Sequence, residues 1–166
     1  MVSADQLTQE RRRFNLEDYI GEILFTLQPK TRKYQHSIEV SCSKDLTLDS
    51  YPGAYAQIIT NLLMNSLIHA YDHNNKGTIT ISAVPKGDEI IVEYKDDGKG
   101  ISEEDLKHIF DPFFTTKRGA GGMGLGLHIV FNTVTQTLGG RIECKSTLGK
   151  GTAFIINVPV RTEGTA

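Results

Sequence analysis

The chain has 166 residues, 39% apolar and 23% charged, which suits one globular domain with a sizeable core and excludes the collagenous, disordered and membrane-spanning classes. Eighteen Lys and Arg against 20 Asp and Glu leave a formal net charge of −2, so no overall basic field attracts nucleic acid or an anionic membrane; any anionic ligand is held locally. Cys42 and Cys144 are too few and too far apart for a CxxC metal or redox site or a disulfide framework, and read as packed thiols in a reducing compartment. Residues 1–14 lack the apolar run of a signal peptide, and no stretch approaches the roughly 18 apolar residues of a membrane helix. The expected location is cytoplasmic, with residues 1–14 as the tail of an upstream helix or a linker.

In chain order, Asn15 caps a helix with Leu16, Tyr19, Ile20, Ile23, Leu24 and Leu27 at helical spacing, with Asp18 reaching back to the cap, and Pro29 ends it. Residues 36–42 alternate like a strand. Pro52 then opens a long apolar helix over about 53–71. Residues 77–84 and 89–95 form a hairpin through Pro85-Lys86-Gly87-Asp88. Ser102 caps a short helix, 111–122 read as a loop long enough to be a lid, and a helix follows over about 123–138. Strands over 141–146 and up to Pro159 are joined by Gly149-Lys150-Gly151, and 161–166 form a disordered tail. The order predicts an α+β class, a two-layer sandwich with a mixed, mostly antiparallel sheet and helices on one face.

Two features stand out chemically. Gln57, Asn61, Asn65, His69 and His73 step by four along the apolar helix, and so form a polar stripe on one face. A buried amide without a partner costs about 1–3 kcal/mol, so Asn61 and Asn65 either bond backbone at a helix crossing or line a polar cavity. In a cavity, their carbonyl oxygens suit a hard cation such as Mg²⁺ and their NH₂ groups suit phosphate. His69 and His73 alone lack the third ligand a metal site needs, and a histidine in a last helical turn is ordinarily there for the dipole.

The second feature is glycine: seven of 16 lie at 98, 100, 119, 121, 122, 124 and 126. Gly119-Ala-Gly121-Gly-Met-Gly124 matches a dinucleotide fingerprint in letters, but no buried strand precedes it. The register Gly122-x-Gly124-x-Gly126-Leu127 ends the lid and opens a helix, offering free N–H groups and a positive dipole end to phosphates. Asp96, in Asp96-Asp97-Gly98-Lys99-Gly100, is a carboxylate at a strand end beside glycines that admit close approach. Such an acceptor favours the six-amino group of adenine over the carbonyl of guanine.

In this order the strings resemble the ATP-binding catalytic domain of two-component sensor histidine kinases, within the superfamily of gyrase, mismatch-repair and heat-shock chaperone ATPases. Gln57 to Ser66 is similar to the N box, Asp96 to Ile101 to the G1 box, Phe110 to Lys117 to the F box and Gly122 to Leu127 to the G2 box, across about residues 15–160. The resemblance implies a Bergerat sandwich over 15–160 that takes ATP and Mg²⁺. Asn65 would coordinate Mg²⁺, Asn61 would help hold phosphates or metal, Asp96 would read the adenine amine, and Lys117 in the lid would meet the terminal phosphates. Gly98, Gly100, Ile101, Phe110, Thr116, Gly122, Gly124, Leu125, Gly126 and Leu127 complete the nucleotide site, and the phenylalanines at 110, 113 and 114 would anchor the lid. Lys99 and Arg118 are weaker candidates. The Phe-Phe-Thr-Thr-Lys form and short lid resemble the nitrogen-regulatory branch.

Two departures shape the expectation. Many members carry Lys or Arg where Ile68 stands, so His69 becomes the substitute phosphate contact. The five histidines at 36, 69, 73, 108 and 128 are followed by Ser, Ala, Asn, Ile and Ile, never by the Asp or Glu that accompanies a phosphoacceptor histidine. The accepting histidine is therefore expected on a separate dimerisation and histidine phosphotransfer domain of the parent protein. A response regulator is served indirectly, with no nucleic acid and no direct membrane contact. Related ATPases place a glutamate one turn before the metal Asn; Asn61 stands there and cannot act as a base, so slow hydrolysis is expected. An anti-sigma-type serine kinase, an ATPase of the same superfamily and a nucleotide-sensing module are the alternatives.

Overall fold

The computed structural model describes residues 10–72, 76–114 and 126–162. In chain order the elements are β1 (Arg12–Asn15), α1 (Leu16–Thr31), β2 (Ser37–Cys42), β3 (Thr47–Ser50) and α2 (Pro52–Asn65), the last continuing as a wide π turn over Ser66–Ala70. Then come β4 (Thr78–Lys86), β5 (Glu89–Asp96), α3 (Glu103–Leu106), α4 (Gly126–Asn132) with its own π turn over Thr133–Thr137, β6 (Arg141–Ser146) and β7 (Thr152–Pro159). Five strands form one sheet in the order β2-β4-β5-β7-β6; β2 and β4 are parallel and every other pair is antiparallel. β1 and β3 make a separate antiparallel pair.

Alternation places Ile79, Ile81 and Ala83 of β4, Ile90, Val92 and Tyr94 of β5, and Phe154, Ile156 and Val158 of β7 on one face, all buried. They share a single core with Leu16, Ile20, Ile23 and Leu27 of α1, with Ile58, Ile59, Leu62 and Leu63 of α2, and with Val130 of α4. Helices therefore cover one face, as the element order predicts. Cys42 and Cys144 lie on β2 and β6, the two outer strands of the sheet, as free half-buried thiols. Burial raises both, Cys144 to about 12.

The differences from the sequence expectation have local causes. Residues 12–14, expected in a helical tail or linker, form β1: Phe14 is 6% exposed and packs edge-on to Tyr19 and Tyr55, so side-chain burial decides the backbone. Asn15 caps α1 as expected, its side chain accepting from the Asp18 N–H at 2.9 Å. Pro29 does not end α1, which runs to Thr31; in the last turn the missing N–H forfeits one bond at an exposed surface. The hairpin is tighter than expected, with Gly87 at φ 62 and Pro85 inside β4 beyond the last residue paired to β2. Arg161 and Thr162, expected in a disordered tail, are anchored: Asp49 and Arg161 form a parallel bridge and the Thr162 N–H donates to the Asp49 carbonyl at 2.9 Å.

Candidate active site

α2 presents two faces. Positions 58, 59, 62, 63, 66 and 67 are buried against the sheet and α1, whereas 57, 60, 61, 64, 65, 68 and 69 are half-exposed along one ribbon. Gln57, Asn61, Asn65 and His69 thus occupy the open face, as their spacing predicts; His73 lies outside the described residues. The Asn61 amide donates to the Gly126 carbonyl at 3.5 Å, so one stripe residue bonds backbone where α2 crosses the start of α4. Its side-chain oxygen, and the whole amide of Asn65, have no hydrogen-bond partner among the described residues. Oxygen donors of this kind suit Mg²⁺. No group of three His, Cys, Asp or Glu side chains among the described residues could hold a metal.

Asp96 ends β5 on the strand's buried face, at 4% exposure. The Gly98 N–H donates to its Oδ1 at 3.0 Å and the Ser66 hydroxyl to its Oδ2 at 2.8 Å. Burial raises its carboxyl above the ordinary carboxylate range, and the bonds from Gly98, Ser66 and the Thr152 backbone pull the other way. Every one of those donors is neutral.

The glycines of the following loop serve the protein itself. A methyl at 98 would overlap the Ala70 carbonyl, and Gly100, at φ 77, would meet the Thr147 carbonyl. The loop is pinned between the end of α2 and the β6–β7 turn: the Lys99 N–H donates to Ala70 at 2.7 Å, the Gly149 N–H to Lys99 at 2.8 Å, and the Ile101 N–H to Ser146 Oγ at 2.8 Å. The close approach visible at Gly98 and Gly100 is that of the protein's own backbone. Gly126 is the reverse case, since a methyl there would touch no described residue within 4 Å.

Phe110 packs on Phe131 and Phe154, with ring centroids 5.3 and 6.4 Å away, and its carbonyl lies 3.1 Å from His128 Nδ1. Phe114 is half-buried against the core, but Phe113, at φ 66, is 61% exposed, so two of the three expected anchors pack and the third does not. Ile101 and Leu127 pack at the core's margin. Thr116, Lys117, Arg118, Gly122, Gly124 and Leu125 lie outside the described residues.

Sequence reasoning missed Ser66 and Tyr94, both bonded around Asp96. Signals were present: Ser66 stands four after Leu62 on the buried face, where a hydroxyl needs a partner, and Tyr94 stands two before Asp96, hence on the same face of β5.

The family model described as "Histidine kinase-, DNA gyrase B-, and HSP90-like ATPase" matches residues 51–162. Sensor histidine kinase ZraS of Salmonella typhi is 38% identical over 148 residues, covering 88% of this chain and 30% of that protein. Sporulation kinase D of Bacillus subtilis is 32% identical over 156 residues, with 92% and 30% covered. The chain thus spans about 30% of the length of these curated relatives. Among solved structures, the nucleotide-free catalytic domain of histidine kinase ThkA superposes with TM-score 0.79 at 31% identity, covering 92% of this chain and 97% of that one. ThkA in complex with the response regulator TrrA superposes with TM-score 0.74 at 27% identity, with 90% and 41% covered. The chain therefore belongs to the histidine kinase-, DNA gyrase B- and HSP90-like ATPase family and has the fold of a histidine kinase catalytic domain.

Proposed function

We propose that this domain binds ATP with Mg²⁺ and donates the γ-phosphoryl group to a histidine on a separate dimerisation and phosphotransfer domain of its parent protein, which then serves a response regulator. The observation that carries the reading is Asp96: a buried carboxylate with only neutral protein donors, bonded by Ser66 of the helix whose other face carries Asn61 and Asn65. A ligand amine meets that acceptor, and guanine would set carbonyl against carboxylate. Asn65, with Asn61 one turn before it, supplies oxygen donors for Mg²⁺, whose charge offsets the triphosphate. Lys117 and the glycines at 122, 124 and 126 are assigned to the phosphates, and His69 to the contact that Ile68 does not make. Phosphoryl transfer needs positioning and charge more than covalent help, so the accepting nucleophile decides the reaction. Asn61 cannot activate water, which leaves hydrolysis slow.

Calorimetric titration with ATP and with GTP in Mg²⁺, followed by incubation with γ-labelled ATP and a phosphotransfer domain, tests this. ATP preference, acid-labile label on histidine and little free phosphate are expected. Label on serine favours the anti-sigma-type alternative, rapid phosphate release favours a simple ATPase, and tight binding without transfer favours a sensing module.

A further inference from the structure

Asp96 ends a three-member hydrogen-bonded chain that joins the last residue of the asparagine motif to Tyr94, a residue outside every motif. The Tyr94 hydroxyl donates to Ser66 Oγ at 2.8 Å, and Ser66 Oγ donates to Asp96 Oδ2 at 2.8 Å. The three residues are 1%, 2% and 4% exposed. A hydroxyl has one proton to donate. An ionised carboxylate only accepts, so the Ser66 proton points at Asp96, and the oxygen it leaves behind is an acceptor that the Tyr94 proton meets. The direction is therefore set from one end to the other. Gly98 N–H holds Oδ1, so both carboxylate oxygens are pinned and the side chain cannot turn without breaking a bond. Burial keeps the Tyr94 phenol protonated, as a donor must be. The same burial favours an uncharged Asp96, which the donor chain opposes.

We propose that Ser66 and Tyr94 are positioning residues for base recognition: together they hold the Asp96 carboxylate as a fixed acceptor, and so set the preference for a purine carrying a six-amino group over one carrying a six-carbonyl. This rests on the nucleotide-site assignment of Asp96. Without the Ser66 donor, Oδ2 loses its hydroxyl partner while Gly98 still holds Oδ1, and burial then favours a proton on the carboxyl; a protonated carboxyl donates, and a donor suits the guanine carbonyl. If the two hydroxyls were merely satisfied core groups, their loss would weaken folding and leave the choice of base alone.

The test compares Mg-ATP, Mg-GTP and Mg-purine riboside triphosphate, which lacks any six-substituent, by calorimetry on the full chain. Ser66→Ala, Tyr94→Phe, the double variant and Asp96→Asn are measured beside the wild type, with thermal unfolding to confirm folding. Loss of one hydrogen bond to a charged group predicts about tenfold weaker ATP binding for Ser66→Ala, with purine riboside triphosphate within about twofold of wild type. Tyr94→Phe acts one bond further away and is expected to cost about threefold on ATP alone, and the double variant to match Ser66→Ala because Tyr94 works through Ser66. GTP discrimination narrows in each. Equal losses on ATP and purine riboside triphosphate, unchanged ATP affinity, or additive effects overturn the proposal. If Ser66→Ala fails to fold, Tyr94→Phe decides it by the same selectivity. Wild-type indifference to ATP, or ATP binding that Asp96→Asn leaves intact, overturns the nucleotide site and the relay together; loss in Asp96→Asn with wild-type selectivity in the other variants sinks the relay alone.

Discussion

Strand alternation sends Asp96 into the buried face of β5, while Asp97, the next residue, turns toward the end of α2 and accepts from the Tyr71 hydroxyl and the Thr78 N–H, both at 2.8 Å. Asp97 thus ties the chain beyond α2 to the start of β4, whereas Asp96, buried under α2, is the carboxylate proposed to read the base. Asp96→Asn is expected to cut ATP affinity at least tenfold whether or not Mg²⁺ is present, because an NH₂ then shares the position of an acceptor. Asn65→Asp should instead spoil the Mg²⁺-dependent part and spare adenosine binding; calorimetry with ATP and adenosine, with and without Mg²⁺, separates the two. The glycines divide in the same way. Gly98→Ala drives a methyl into the Ala70 carbonyl and should lower the melting temperature, whereas Gly126→Ala, at the first described residue of α4 and with no described atom within 4 Å of the new methyl, should leave the melting temperature nearly unchanged and yet weaken nucleotide binding. If Gly126→Ala binds ATP as wild type does, the ligand does not approach that helix start.

His36 joins Tyr34, Tyr71 and Gly77 through an aromatic stack and one hydrogen bond. His36 lies 4.2 Å from the Tyr71 ring and 6.2 Å from Tyr34, and the Gly77 N–H donates to its Nδ1 at 2.8 Å. A backbone N–H only donates, so Nδ1 must be unprotonated there. Burial lowers the His36 pKa further, against the opposing pull of Asp97. The unfolded chain therefore binds the proton more readily than the native one, so this contribution to stability is complete above about pH 6.5 and is lost as pH falls toward the lower folded value. His36→Gln keeps an acceptor without the titration, and should flatten the fall in melting temperature between pH 7 and 5; an unchanged slope assigns that fall to other groups. Elements of this kind differ in how well the sequence announces them. β6 and the capped start of α1 match their predicted bounds because period and cap are local signals. β1 and β3 carry four residues each and pair across more than 30 positions, so neither is visible to a local window. At the site, Asn61, Asn65 and Asp96 were legible because spacing and strand-end position define them. Ser66 and Tyr94 were not, because a hydroxyl's importance depends on which buried group it meets.

On the scale of the molecule, β1, β3 and residues 160–162 form one seam. Asp49 receives Arg11 through two bonds of 3.0 Å and Arg161 at 3.6 Å, and the Arg11 guanidinium holds its carboxyl below the usual range. Beneath them Ser50 and Thr162 share a hydrogen bond of 2.7 Å, both buried. Ser50→Ala strands the Thr162 hydroxyl and should cost about 1–3 kcal/mol in urea unfolding, and adding Thr162→Val should recover part of that loss. Additive losses would show that each hydroxyl has another partner. Because residues 11 and 161 meet at one carboxylate, traction applied between them is borne first by the seam. The five-stranded sheet that carries Asp96 lies off that load path, so a pull between residues 11 and 161 strains the Asp49 bonds before it reaches β5.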